Sequence, residues 1–357
     1  MKLTLVQGSD LGKTESLVWA GIQQARPEFS SPYFRPEFTR LVASVRSDAW
    51  VGILEDQGEI VGFFPFQRGR NGVGKPVGGP LSDYQGFVVK EGVSWTPEWL
   101  IRQAGLAVWD FDHLIESQAE FKAYHRIVEP SPIMDLSAGF EAYAAERRAA
   151  GSEQIKKTQA LERKLAREHG AIRFEAQAQS SSVLETLLRW KSDQYRDTQK
   201  VDVFSYEWTV EILRRLLCEG EPAFCGILSA LYASDRMIAG HVGMRSGGVL
   251  HYWFPSYDPE FARYSPGLVL LLKIAGWAQE AGIRKIDLGK GDALYKQRLS
   301  NASARVAEGS VEVSAPIRAA RWLLRTTESV VKKTPLRALA RIPARLLRSW
   351  QKRSRFR

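Results

Sequence analysis

Two cysteines in 357 residues, Cys218 and Cys225, are too few for a disulfide framework. No His or further Cys lies near them at metal-ligand spacing, so the sequence asks for neither a structural disulfide nor a metal and fits a reducing compartment. Long apolar runs are missing too. No stretch approaches the ~18 uninterrupted apolar residues of a membrane-crossing helix, and residues 1–20 hold no apolar run of secretory type. A cytoplasmic chain that does not span a membrane is the expectation. Phosphate-loop fingerprints are absent as well. Residues 68–76 (RGRNGVGKP) and 78–84 (GGPLSDY) are glycine-rich, but neither spacing nor flanking elements match a Walker or dinucleotide motif. Both read as solvent-exposed or substrate-facing loops.

What the chain has in excess is positive charge, and one end holds it. Residues 317–357 carry 13 Lys or Arg against one acid, Glu328, which is 13 minus 1, or +12. The whole chain is +10, so the remaining body is 10 minus 12, or −2, and the basic balance does not describe a nucleic-acid-binding globular surface. In the basic segment, Trp322, Leu323, Leu339, Ile342, Leu346 and Trp350 form an apolar stripe broken by Pro335 and Pro343. Such a segment suits the surface of an anionic membrane, with Trp at headgroup depth. Docking on an acidic partner or RNA, or a disordered tail, are the alternatives.

Hydrophobic residues make up 44% of the chain, enough to form real cores, and the length suits two domains of about 150–180 residues. The first half reads as a strand (1–6), a helix (16–24), and an aromatic segment SPYFRPEF (31–38) feeding a helix (39–46). A hairpin (50–54 and 60–67) follows. A helix over 95–104 has Thr96 as N-cap and Pro97 at its first position, and a strand over 107–115 comes after it. The second half opens with a charged helix over 140–170. Its Ile155, Thr158, Leu161 or Glu162, and Leu165 lie at helical spacing, with Lys156, Lys157, Arg163, Lys164 and Arg167 on other faces. That face reads either as an amphipathic surface or as a cationic platform for an anionic acceptor. Helices over 180–196 and 206–218 precede a three-stranded meander (223–232, 237–244, 249–257). Pro266-Gly267 then starts an apolar helix over 268–281, Gly282 ends it, and a strand over 283–288 returns in parallel. Strand hairpin, loop and strand, helix, strand thus occurs twice, which points to a tandem, divergent duplication.

The segments YWFPSYDPEFARYSPGLVLLL (252–272) and DLGKGDALYK (287–296), in this element order, resemble the GNAT superfamily of acyltransferases. They resemble in particular its CelD-like branch, linked to bacterial polysaccharide production and similar to FemAB-type aminoacyl transferases. The resemblance implies an α/β fold of tandem GNAT-like domains, each a mixed, mainly antiparallel sheet flanked by helices. It divides the chain into a first domain over 1–138 that has lost CoA binding, a basic connecting helix over 139–170, an acyltransferase domain over 171–315, and the basic tail over 316–357.

The same resemblance implies acetyl-CoA or another acyl-CoA as co-substrate, no metal, and a sugar or glycan-precursor acceptor at the inner face of the membrane. Its CoA turn falls on Arg263, Tyr264, Ser265, Gly267 and Leu268, where a helix start would meet the pyrophosphate. Only Arg263 and Gly267 loosely match the family signature, and Pro266 removes one donor. For the acceptor it implies Trp190, Tyr195 and Arg196 at a polar helix end, with Tyr257 and Asp258 at the end of a strand. For chemistry it implies Asp287 holding the strand end or the acceptor, Tyr295 protonating the leaving thiolate and Lys296 stabilising the oxyanion. His251 and His241 are possible bases by intrinsic pKa, and strand parity decides which of them faces a cleft. Asp292 reads as an ordinary helix N-cap. A FemAB-like transferase using charged tRNA is the alternative enzyme, the one case in which nucleic acid would be a partner, and a non-catalytic scaffold of a polysaccharide machine is the alternative outside catalysis.

Overall fold

A computed structural model describes residues 1–221 and 223–323. Of the tail's apolar stripe, Trp322 and Leu323 are described and exposed, and the rest of the stripe with most of the basic charge lies outside the described residues. The chain forms two compact units, one of residues 1–25, 42–128 and 307 onward, the other of Arg26–Leu41 and Glu129–Val306. Both are α/β, with mixed, mainly antiparallel sheets and helices packed on them.

In the first unit Lys2–Gln7 pairs with Ala49–Asp56, which forms a hairpin with Glu59–Arg68. Glu59–Arg68 pairs antiparallel with Val73–Pro76, and that strand pairs in parallel with Val108–Ile115. The crossover between the last two holds the helix Pro97–Gln103, whose N-cap is Thr96: its hydroxyl accepts the Trp99 N–H at 3.3 Å. Aromatic side chains fill the core, with Phe64, Phe87, Trp95, Trp109 and Phe121 in edge-on and tilted contacts near 5 to 6 Å. Burying each such ring contributes on the order of 2–3 kcal/mol, which makes this cluster the main support of the unit.

The second unit repeats the order. Ile172–Glu175, Phe224–Ala233, Arg236–Ser246 and Val249–Tyr257 are antiparallel neighbours in succession. Val249–Tyr257 is joined in parallel to Lys285–Asp287, which residues 133–135 flank on its other side. The helix Pro266–Trp277 makes the crossover, and it buries Val269, Leu270, Leu271, Ile274 and Ala275 against Leu250, Tyr252 and Ile286. Gly282, at φ +67°, ends this turn of chain, and the Ile283 N–H closes back onto the Ala278 carbonyl at 2.7 Å. The helix expected over 140–170 is in fact two, Phe140–Ala149 and Gln154–His169. Gly151 takes a left-handed φ of +80° between them, a break that its Gly-Ser-Glu surroundings accept more readily than a helix interior would. The second of these helices buries Ile155, Thr158 and Leu165, three positions of the stripe read from the sequence. Among the described residues no helix is long and apolar enough to cross a membrane.

Candidate active site

Val249–Tyr257 outruns its parallel partner. Pairing covers Val249, Leu250 and His251 against Lys285, Ile286 and Asp287, and then the two strands part. The register with Arg236–Ser246 slips between Val242/Phe254 and Met244/His251, a bulge that bends the strand where the gap opens. Gly243 sits at that bulge, where a Cβ would come within 2.8 Å of the His251 carbonyl. Beyond it the Asp258 N–H donates to Ile238 at 3.0 Å, and Ile238 precedes the Ala239–Tyr257 pair. By the alternation of an antiparallel ladder, residues 254 and 256 then face the neighbouring strand, and the carbonyl of Pro255 faces the gap.

A cavity of about 300 Å3 occupies this gap. The strand contributes Tyr252, Pro255 and Tyr257, and the start of helix Pro266–Trp277 contributes Gly267, Leu268 and Leu271 with Ser265 before it. Helix Ser181–Asp197 adds Lys191 and Gln194, and the short helix Leu294–Leu299 adds Tyr295. Ser265 is the N-cap in left-handed conformation, φ +51°, an unusual choice for a residue with a Cβ, and it turns the chain into the helix. The helix start offers few donors. Pro266 has no N–H, and the N–H groups of Leu268 and Val269 both go to the Ser265 carbonyl, at 2.9 and 3.2 Å, which leaves that of Gly267.

Lys191 donates from Nζ to the Pro255 carbonyl at 2.9 Å, so its amine reaches the open edge of the strand. Burial, then the charges of Lys200 and Lys296, push its pKa down to about 8. Burial raises Tyr252, with Tyr295 a second cause, and burial also raises Tyr295. The Tyr252 hydroxyl donates to the Gly267 carbonyl at 3.4 Å. Behind Tyr252, stacked on it at 4.2 Å, lies the fully buried His241 ring. Burial and then His251 push this imidazole down to about 3, so it is neutral at any ordinary pH.

Residues 152–297 match the family model described as "Acetyltransferase (GNAT) domain". This stretch is a GNAT acetyltransferase domain. Among solved structures the whole chain is similar to FemX, at TM-score 0.55 and 10% identity, over 89% of this chain and 98% of that one. It is also similar to the C-terminal domain of a putative lysylphosphatidylglycerol synthetase from Agrobacterium fabrum, at TM-score 0.52 and 14% identity, over 90% and 97%. A third, a conserved protein of unknown function from Bacteroides thetaiotaomicron, gives 0.54 and 9%, over 86% and 99%. At these identities the likeness is one of fold. No curated protein matches the sequence.

The GNAT domain places the residues singled out from sequence in three groups. Tyr257, Ser265, Gly267, Leu268 and Tyr295 line the cavity. A second group lies under the paired part of the sheet. Buried Asp287 accepts the Gly289 N–H at 2.7 Å and the Ser131 hydroxyl at 3.4 Å, 3.8 Å from Nδ1 of buried His251. Lys296 donates to the carbonyls of Gly289 and Lys290, at 3.0 and 3.1 Å, and so ties down the loop after Asp287.

The third group is engaged elsewhere. Arg263 donates to Glu168 at 3.1 Å, and the buried Tyr264 hydroxyl lies 3.0 Å from His169 Nε2. Asp258 caps the turn after the strand, accepting the Glu260 N–H at 3.0 Å and pairing with Arg236 at 2.6 Å. Arg196 pairs with Asp193 on the helix surface at 2.5 Å, Trp190 is half-buried, and Tyr195 lies 5.5 Å under the Lys191 amine. The helix after Asp292 starts at Leu294 with Ala293 as its N-cap, and no side chain caps it, so Asp292 is not the cap read from the sequence. Among the described residues no cluster of three His, Cys, Asp or Glu side chains could hold a metal.

Of the cavity residues not singled out from sequence, two carry titratable groups, Lys191 and Tyr252. A signal for Lys191 exists. Leu184 and Leu187 are buried on helix Ser181–Asp197, and steps of four and three continue that stripe to Lys191 and Gln194. A lysine on the apolar stripe of a helix is a buried-cation warning legible without a structure.

Proposed function

We propose that the protein is an acyl-CoA-dependent N- or O-acyltransferase whose acceptor is a sugar or an envelope or exopolysaccharide precursor. The observation that carries this reading is the unpaired edge of residues 254–257 opening on a cavity closed by a helix start. An extended amide-bearing arm can pair with such an edge as an added strand would. An acyl thioester is already activated, so the protein needs chiefly to align the acceptor and move its proton. The segments at 252–272 and 287–296 support the CelD-like branch and hence a glycan precursor. The formal +12 of residues 317–357 supports a peripheral place on an anionic membrane at its cytoplasmic face.

One observation favours a second reading. With Pro266 and the internal bonds of Leu268 and Val269, the helix start is a poor pyrophosphate cradle. A FemAB-like transferase would use charged tRNA instead and would have no CoA affinity.

Calorimetry with acetyl-CoA separates the two. The wild type is expected to bind with a Kd on the order of micromolar. The Gly267 Cβ position is 3.5 Å from the Tyr257 ring, so Gly267→Ala fits and should keep binding, while Gly267→Glu places a carboxylate in the cavity mouth. A loss on the order of 100-fold is expected for the Glu variant. No binding by folded wild-type protein would sink the acyl-CoA reading.

A further inference from the structure

We propose that the amine of Lys191 is the base of the transfer, taking the acceptor's proton as the acceptor attacks the thioester. The inference rests on the acyl-CoA reading above and names the group that reading leaves unassigned. The lining supports it by elimination. Apart from Lys191 it consists of Gln, Pro, Ala, Ser, Gly, Leu and Tyr side chains, and burial moves the tyrosines Tyr252 and Tyr295 upward, away from neutrality. His241 is fully buried behind Tyr252, and His251 and Asp287 lie under the paired part of the sheet. Lys191 is therefore the cavity group that can exchange a proton near neutral pH.

The surroundings point the same way. No carboxylate pairs with Lys191 among the described residues, and its hydrogen bond goes to a neutral carbonyl. The charges that act on it are those of Lys200 and Lys296, both positive, and the titratable rings around it are Tyr195, Tyr252, Tyr257 and Tyr295. The Pro255 carbonyl and the Tyr195 ring face favour the ammonium, but burial and the two like charges outweigh them. A neutral amine keeps one N–H on Pro255 and turns its lone pair to the cavity. In the step itself, the acceptor nitrogen or oxygen bonds to the thioester carbonyl carbon while its proton passes to Lys191 Nζ. The tetrahedral adduct then collapses with cleavage of the C–S bond, and the CoA thiolate leaves with the electron pair. The ammonium of Lys191 returns its proton to that thiolate or to water, and the base is restored.

Competitive labelling with acetic anhydride between pH 6 and 10, read by mass spectrometry, tests the amine directly in the full chain. Acetic anhydride reacts with neutral amines. At pH 7 the neutral fraction of Lys191 should exceed that of a surface lysine on the order of 100-fold, with a labelling midpoint near 8. Saturating acetyl-CoA should protect it. Labelling at surface-lysine rates with a midpoint above 10 overturns the proposal. So does fast labelling that acetyl-CoA fails to protect although calorimetry shows it bound. Absence of acetyl-CoA binding would instead remove the reading beneath it, while the labelling still reports the state of Lys191. With D-glucosamine as the acceptor probe, Lys191→Gln and Lys191→Arg should keep acetyl-CoA affinity and lower kcat/KM by about 10²–10⁴. Both should also lose the limb that rises toward pH 8. Full turnover in Lys191→Arg would show that the charge, not the base, is what matters.

Discussion

In the first unit Val73–Pro76 and Val108–Ile115 part after Gly74 and Trp109; in the second, Val249–Tyr257 and Lys285–Asp287 part after His251 and Asp287. The chain treats the two gaps differently. In the first unit it returns to fill its own. Val88 and Val89 pair with Phe63 and Gly62 on one side, and Gln85 on the other exchanges main-chain bonds with His113 and Ile115 at 2.9 and 3.0 Å. Buried Gln118 then fastens Phe87 through both of its main-chain groups. In the second unit the corresponding edge is left to the cavity and Lys191. The same element order thus yields a gap filled by the chain's own backbone in one place and an edge that opens on a cavity in the other.

The seal can be broken at Gln85. Its amide donates to Asp112 at 2.7 Å and Ser82 at 3.1 Å and accepts the N–H groups of Asp112 and His113, both at 3.0 Å. Gln85→Ala removes all four bonds at a buried position, and a loss of about 3 kcal/mol in urea unfolding is expected. Acetyl-CoA should still bind with a stoichiometry of one. A second site in the variant would mean that the plug alone separates the two halves. An unchanged urea midpoint would mean that the Gln85 bonds do not hold the seal.

Much of this contrast was legible in the sequence, and its decisive part was not. The repeated element order, the Thr96 cap, the meander and the Pro266-Gly267 helix start all follow from short-range signals: turn residues, apolar runs and capping chemistry. The break at Gly151 was missed because the charged pattern on both sides is helical, and one glycine weighs little against it. GGPLSDY reads as an open loop because glycine and proline mark where a chain turns, not what it then pairs with. The register of Gln85 against Leu114 spans most of a crossover that local pattern cannot measure. At the site, the Arg263 turn is found by motif, but the direction of the Arg263 side chain, toward Glu168, depends on a helix about a hundred residues earlier.

The wall of the open gap can be sharpened through His241. Unfolded, this imidazole titrates near 6.5, whereas the folded protein holds it neutral down to about 3. As pH falls below 6.5 the unfolded state therefore binds a proton that the folded state refuses, and stability drops. Between pH 6.5 and 5 the loss from this one group is about 2 kcal/mol. Among the described residues neither ring nitrogen has a hydrogen-bond partner, so His241→Phe should remove that acid slope at little cost near neutral pH. Urea unfolding at pH 7 and pH 5 reads it. An equal slope in wild type and variant would place the acid sensitivity elsewhere.

The smallest effect, and one of opposite sign, belongs to Lys191. Its folded pKa of about 8 lies below the 10.5 of the free side chain. Under pH 8 both states carry the proton and folding bears the full desolvation of the ammonium. Between 8 and 10.5 the unfolded state alone holds the proton, so the wild type gains stability as pH rises. Lys191→Met should accordingly be more stable at pH 7 by about 1–2 kcal/mol, after allowance for partial exposure. That advantage should shrink to nothing as pH approaches 10.5. A methionine variant that is less stable at pH 7 would show that the Pro255 bond outweighs desolvation, and Lys191 would then be a strut of the open edge. A gain in stability coupled to lost turnover is instead what a cation kept unpaired for chemistry should give, a cost the first unit, with its gap filled by its own backbone, does not bear.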